Sequence, residues 1–200
     1  LRQACAGFLL VFASFTALAA EPNSLASAFV ADLAQRTLLS EGAATASLAE
    51  RQERFSGFLD RSFDVPEIAR FVVGRYWDKT SAADHESFTL VFRDFMAQTY
   101  ARRFNVYHGQ SLTILAEVND TPTSMTVVTQ LTQANGAAPL SLAWHVVNHD
   151  GLRVVDISVA GVSMANMQRD DFVTFLQQHG GRLSSLVEQL RTRLAQEPSG

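Results

Sequence analysis

The chain has 200 residues, with 16 basic and 20 acidic side chains and a net charge of −4. No basic block stands out, which argues against nucleic acid as a partner. The single cysteine, Cys5, falls in an apolar leader, so disulfides, thiolate catalysis and cysteine-based metal sites are excluded from the chain that follows it.

Residues 1–20 read as a cleavable signal peptide. Arg2 supplies a basic start, Ala6 to Leu18 is almost wholly apolar, and Ala17-Leu18-Ala19 is a small-x-small cleavage site with Ala20 next to it. A membrane anchor is the competing reading, because an uncharged run from Gln3 to Ala20 approaches the roughly 20 residues of a span. No Lys or Arg cluster follows as a stop-transfer flank, and cleavage is favoured. Residues 21–196 then form a single domain, long enough for a real core, and residues 197–200 a flexible tail; together, after removal of the signal, they carry a net charge of −5.

The helices come first. Asn23 or Ser24 caps a helix that carries Leu25, Phe29, Leu33 and Leu38 at helical spacing. A second helix from about Ser47 to Leu59 places Leu48, Phe55, Phe58 and Leu59 on one face. Asp64, Pro66 and Glu67 are an N-cap, a first-turn proline and a capping-box acid for a short helix that stops at Gly74. Thr80 or Ser81 opens the longest helix, to about Asn105, with Phe88, Val91, Phe92, Phe95, Met96, Thr99, Tyr100 and Phe104 in one wide apolar stripe.

Four strand-like runs follow: Ser111 to Val118, Ser124 to Thr132, Leu140 to Asn148 and Leu152 to Val159. Asn119-Asp120-Thr121-Pro122, Asn135-Gly136 and Asp150-Gly151 separate them, and such short connections predict an antiparallel meander. Ser163 caps a helix ending near His179, and a last helix carries Leu183, Leu186, Val187, Leu190 and Leu194. The predicted fold class is α+β, an antiparallel four-stranded sheet packed against a bundle of helices, with helices at both chain ends.

Leu142, Trp144 and Val146 share one face of their strand, and Val155, Ile157 and Val159 one face of theirs, so one side of the sheet must be covered. The aromatic and Met-rich long helix is suited to cover it, either as plain core or with an apolar cavity left between sheet and helices. One stretch has the form of a catalytic motif. Gly161-Val162-Ser163-Met164-Ala165 resembles a hydrolase nucleophile elbow, and Asp170 or Asp171 and His179 follow in the order a serine esterase needs. The acid and base would share one short helix directly after the serine, the upstream parallel sheet is missing, and Ser163 already serves as an N-cap. The protein is therefore read as no enzyme, with a serine esterase through Ser163 as the alternative. His85, His108, His145, His149 and His179 form no metal-ligand spacing, and no Gly-rich phosphate loop is present.

Several motifs, in order, resemble the toluene-tolerance/MlaC family. They are Phe63-Asp64 with Ile68-Ala69-Arg70; Gly74-Arg75-Tyr76-Trp77; Thr99-Tyr100-Ala101 with Arg103-Phe104 and Tyr107-His108-Gly109; and Val155 to Ser163 with Gln168-Arg169 and Phe172. The similarity runs from about residue 25 to 194. It implies a periplasmic lipid carrier with no cofactor, which holds phospholipid acyl chains in an apolar cavity. It also implies shuttling between an outer-membrane lipoprotein complex and an inner-membrane ABC transporter with its periplasmic lipid-binding subunit, the traffic that maintains outer-membrane lipid asymmetry. A hopanoid-associated branch of the same family suits the Phe71 to Trp77 segment too, so the ligand is phospholipid or hopanoid. Carried over to this chain, the resemblance puts Phe71, Val72, Tyr76, Phe92, Phe95, Met96, Tyr100, Trp144, Val146, Val159 and Val162 near the cavity. It puts Arg75, Arg103 and Arg169 at its mouth, where a guanidinium can meet phosphate; salt bridges that fix the fold are the competing role. Asp78-Lys79 departs from the family pattern, in which a basic residue more often comes first.

Overall fold

The computed structural model describes residues 24–38, 47–101, 111–133 and 136–196. The leader, the break at 41–46, Arg103, Phe104, the motif at 107–109, Asn135 and the tail lie outside the described residues.

Helix α1 is Leu25–Leu38, α2 is Leu48–Ser62, α3 is Val65–Val73 and α4 is Ala82–Ala101, with a 3-10 segment Gly74–Lys79 between α3 and α4. Strands β1 (Ser111–Thr121), β2 (Ser124–Thr132), β3 (Leu140–Asn148), β4 (Leu152–Val159) and β5 (Val162–Ser163) precede α5 (Met164–Gln178) and α6 (Leu183–Gln196). The caps explain where the helices start. Ser47 and Glu50 form a capping box, with Glu50 N–H donating to Ser47 Oγ at 3.2 Å and Ser47 N–H to the Glu50 carboxylate at 2.8 Å. Ser81 and Asp84 repeat the exchange ahead of α4. Asp64 accepts from Glu67 N–H at 3.1 Å, with Pro66 in the first turn where its missing N–H costs nothing. Gly74 ends α3 at φ +52°, a left-handed backbone that favours glycine, with the Arg169 guanidinium lying close over it.

The sheet is an antiparallel meander in the order β1-β2-β3-β4-β5. It has five strands where the sequence predicts four. Ala160 (φ +50°) and Gly161 (φ +82°) turn the chain within two residues, so Val162 and Ser163 fold back onto Val159 and Ser158. Ala160 carries a Cβ in the left-handed region, and a turn that departs from the favoured Asn-Gly or Asp-Gly pair is not read from sequence. Strand β1 also runs three residues further than expected, through Thr121, which leaves Pro122-Thr123 as the turn.

Two apolar clusters meet between the layers. In the helical one, Phe88 and Phe92 of α4 pack edge-on against Phe172 of α5, with Leu183, Leu186 and Leu190 of α6 behind them. In the other, Ala26, Val30 and Leu33 of α1 lie on Val127, Val146 and Val154 of the sheet. Phe58 and Phe63 touch both clusters. The start of α1 is tied down by Ser24 and Ser27, whose hydroxyls both donate to the Glu117 carboxylate on β1. Strand β4 carries a bulge at Val155, because Val154 pairs with Val146 while Asp156 pairs with His145. Beside it the Val154 carbonyl accepts from Asp64 N–H at 3.0 Å, which stitches the α2–α3 junction to the sheet.

Candidate functional site

A cavity of about 360 Å³ lies between the sheet and the helices. An engineered dry cavity of about 150 Å³ admits one benzene ring, so this one takes a considerably larger apolar group. Its sheet wall is Leu112 of β1, Leu131 of β2, Leu140, Leu142 and Trp144 of β3, and Val155, Ile157 and Val159 of β4. Its helix wall is Ala34 of α1, Phe55, Phe58 and Leu59 of α2, Phe63 at the α2–α3 junction, Ile68 and Val72 of α3, and Phe92, Met96 and Tyr100 of α4. Met164, Ala165 and Gln168 of α5 close it beside Asp156.

The strand alternation explains this wall. Leu140, Leu142 and Trp144 follow at period two, so all three face inward. Val146, the next inward residue, is wholly buried beneath α1 and does not reach the cavity. On β2 likewise Leu131 lines the cavity, while Thr129 and Val127 are wholly buried. Ala34 near the end of α1 lines it, and Ala26 and Val30 near the start do not.

Asp156 is the one charged side chain among the described residues of the wall, and its carboxylate is already engaged. Ser163 Oγ donates to it at 2.5 Å and Ala165 N–H at 2.9 Å, so it shares with Ser163 the task of capping α5. The rest of the wall is hydrocarbon and aromatic rings apart from the Gln168 amide, the Tyr100 hydroxyl and the Trp144 indole N–H. Trp144 Nε1–H donates to Thr129 Oγ1 at 3.0 Å. Such a wall receives apolar matter and offers little to a polar reaction.

Six of the residues expected near the cavity line it: Val72, Phe92, Met96, Tyr100, Trp144 and Val159. Five lie elsewhere. Val146 is in the solid core under α1, and Tyr76 is buried with its ring against Gly181. Phe95 packs on Phe172, the ring that Phe92 also meets, and does not line the cavity. Phe71 and Val162 are on the surface, 38% and 54% exposed. Of the arginines, Arg169 donates to the Phe71 carbonyl at 2.8 Å and covers the Phe71 ring at 4.8 Å, and Arg75 donates to the Tyr76 hydroxyl at 3.2 Å. Neither lines the cavity, and both hold the surface of the α3 region together.

The expected list omitted Leu112, Leu131, Leu140 and the α2 aromatics. Their signal was present in the strand alternation and in the Phe55–Phe58–Leu59 face, but neither pattern says that the space opposite is empty. The esterase constellation is not assembled. Ser163 precedes α5 and His179 follows it, about 24 Å apart along the axis of a 15-residue helix. His179 stacks on Phe175 and its Nδ1 meets the Phe175 carbonyl. Among the described residues no three His, Cys, Asp or Glu side chains come together as metal ligands, and no helix is long and apolar enough to cross a membrane.

The family model described as MlaC protein matches residues 30–192. The intermembrane phospholipid transport system binding protein MlaC of Haemophilus influenzae is 30% identical over 132 residues, 64% of this chain and 59% of that relative, so the match spans less than two thirds of the relative's length. A phospholipid-binding protein from Ralstonia solanacearum, solved in complex with a phospholipid, aligns with a TM-score of 0.74 at 19% identity, over 86% of this chain and 95% of that one. At that identity the likeness is one of fold.

Proposed function

The chain belongs to the MlaC family, and on that premise we propose that it is a soluble lipid carrier of the periplasm, exported by residues 1–20 and folded as one domain over 21–196. It holds the acyl chains of a phospholipid in the cavity between sheet and helices. It passes the lipid between an outer-membrane lipoprotein complex and an inner-membrane ABC transporter. The observation that carries this reading is the cavity wall: every layer of the fold contributes apolar side chains to one space, and a soluble domain has no structural need of a void that size.

The energetics fit transport. Each methylene taken out of water is worth about 0.8 kcal/mol, so even part of an acyl chain supplies several kcal/mol against the freedom lost on binding. Release into water forfeits that term, which makes spontaneous loss slow and a membrane partner necessary for delivery. The relative named for phospholipid transport and the fold likeness to a phospholipid-bound protein support the choice of phospholipid as cargo. Native mass spectrometry of the purified protein, followed by solvent extraction, tests the reading. Stoichiometric phospholipid is expected. Stoichiometric hopanoid would move the cargo to the other branch of the family, and a protein that stays empty after incubation with lipid vesicles would overturn the carrier reading.

A further inference from the structure

We propose that Trp144, fixed in place by the Thr129 hydroxyl, is the stop that limits how long an acyl chain the cavity accepts. The inference rests on the carrier reading and adds to it the residue that selects among cargoes.

On β3 the cavity is lined by Leu140, Leu142 and Trp144, and Trp144 is the last residue of that row to line it. Beyond the indole the inner face continues with Val127, Val146 and Val154, all 0% exposed beneath α1. Trp144 belongs to that solid cluster on one side and to the cavity wall on the other. It is the partition between them. From the helix side Phe58 and Phe63 close on the same region, edge to face at 5.5 Å.

A partition must also stay put. The indole N–H is buried, and its partner is Thr129 Oγ1, in a residue 0% exposed. The Thr129 hydroxyl in turn points at the Leu142 carbonyl, 3.5 Å away. Swinging the ring aside would leave a buried donor and a buried acceptor unpaired, so the ring is held across the cavity end instead of yielding to a longer chain. Thr129 is a positioning residue in this arrangement, and Trp144 is the side chain that meets the chain's terminal methyl.

The test uses the full chain, delipidated, as wild type, Trp144→Ala, Trp144→Phe and Thr129→Val. Each is incubated with vesicles of a homologous series of saturated diacylphosphatidylcholines, and loading is read by native mass spectrometry. Because the chains are already out of water in the vesicle, wild-type loading is expected to change little up to one chain length and then to fall about fourfold for each methylene the cavity fails to cover. Trp144→Ala moves that limit to longer chains, with loading of the first two excess methylenes improved on the order of tenfold. Trp144→Phe moves it the same way by less, and it carries the test if the alanine variant fails to fold. Thr129→Val blurs the limit without enlarging the space, an effect that lost stability alone would not produce. A loaded wild type whose limit is the same in all folded variants overturns the inference and leaves the carrier reading intact. A wild type that stays empty across the whole series overturns both.

Discussion

At one end of the sheet's inner face, Val127, Val146 and Val154 are wholly buried under Ala26 and Val30 of α1. At the other end, Leu131, Leu140, Leu142 and Val159 are only half-buried, and the cavity stands over them. The two ends use the same kinds of side chain with the same alternation, so composition does not distinguish them. The difference lies in what stands opposite. Helix α1 supplies small side chains that let it lie close on the sheet at the filled end. Over the hollow end the α2, α3 and α4 side chains belong to a helical cluster that closes on itself through Phe92 and Phe172. A side chain facing a void has already forfeited part of its dispersion contacts. The filled end and the helical cluster therefore carry stability, and the hollow end is left free to carry a ligand.

The largest effect expected from this division is at Phe88, 0% exposed and packed on Phe92 and Phe172. Phe88→Ala should cost about 3–5 kcal/mol in a denaturant titration. A paired substitution sharpens the comparison, because the chemistry is identical on both sides. Val146→Ala in the filled end should cost about 2–3 kcal/mol, from two buried methyls plus the space they leave. Val159→Ala in the hollow end should cost about 1 kcal/mol or less in lipid-free protein, since its methyls already border empty space. Equal losses at the two valines would refute the division.

Much of the fold was legible because it is written in local signals. The Asp64 cap and the Ser163 cap fixed two helix starts, and Asp150-Gly151 marked the β3–β4 hairpin. Strand β5 was not legible, because its turn places Ala160 at positive φ, where sequence expects glycine or asparagine. The cavity residues were half legible. Periodicity identifies a face but not its partner, so Leu142 and Val146 look alike although one lines the void and the other is core. The register of β4 adds a second obstacle. The bulge at Val155 gives both Val154 and Val155 apolar roles, one in the solid cluster and one in the cavity wall, where simple alternation predicts only Val155.

A smaller effect belongs to the boundary itself. Thr129→Val keeps the shape of the side chain and removes the acceptor for the Trp144 N–H. It should cost about 1–3 kcal/mol, the usual penalty for one buried donor left unpaired. Tryptophan emission in a Trp77→Phe background, which leaves Trp144 as the sole tryptophan, should broaden as the indole loses its fixed position. An unchanged spectrum together with unchanged stability would mean that packing alone holds the ring.

The smallest expected effect lies on the outside of the cavity wall. Arg93 of α4 grips Asp60 of α2 with two hydrogen bonds, 2.7 and 2.6 Å, and so joins two of the helices that face the hollow end. The hydrogen bond from Arg93 holds the Asp60 carboxyl below its ordinary range. A carboxyl lowered in the folded state contributes stability above its unfolded pKa, near 3.9, and loses that contribution as pH falls through the folded value. The pair is about half exposed on the Asp60 side, which screens it and limits its worth to about 1 kcal/mol or less. Asp60→Asn should therefore lower the denaturation midpoint slightly at pH 7, and the gap from wild type should close as the pH is taken well below 4. A gap that persists undiminished at the acid end would mean that Asp60 acts by shape and not by charge. The helix wall over the cavity would then owe nothing to this ion pair, and its position would rest on the aromatic cluster alone.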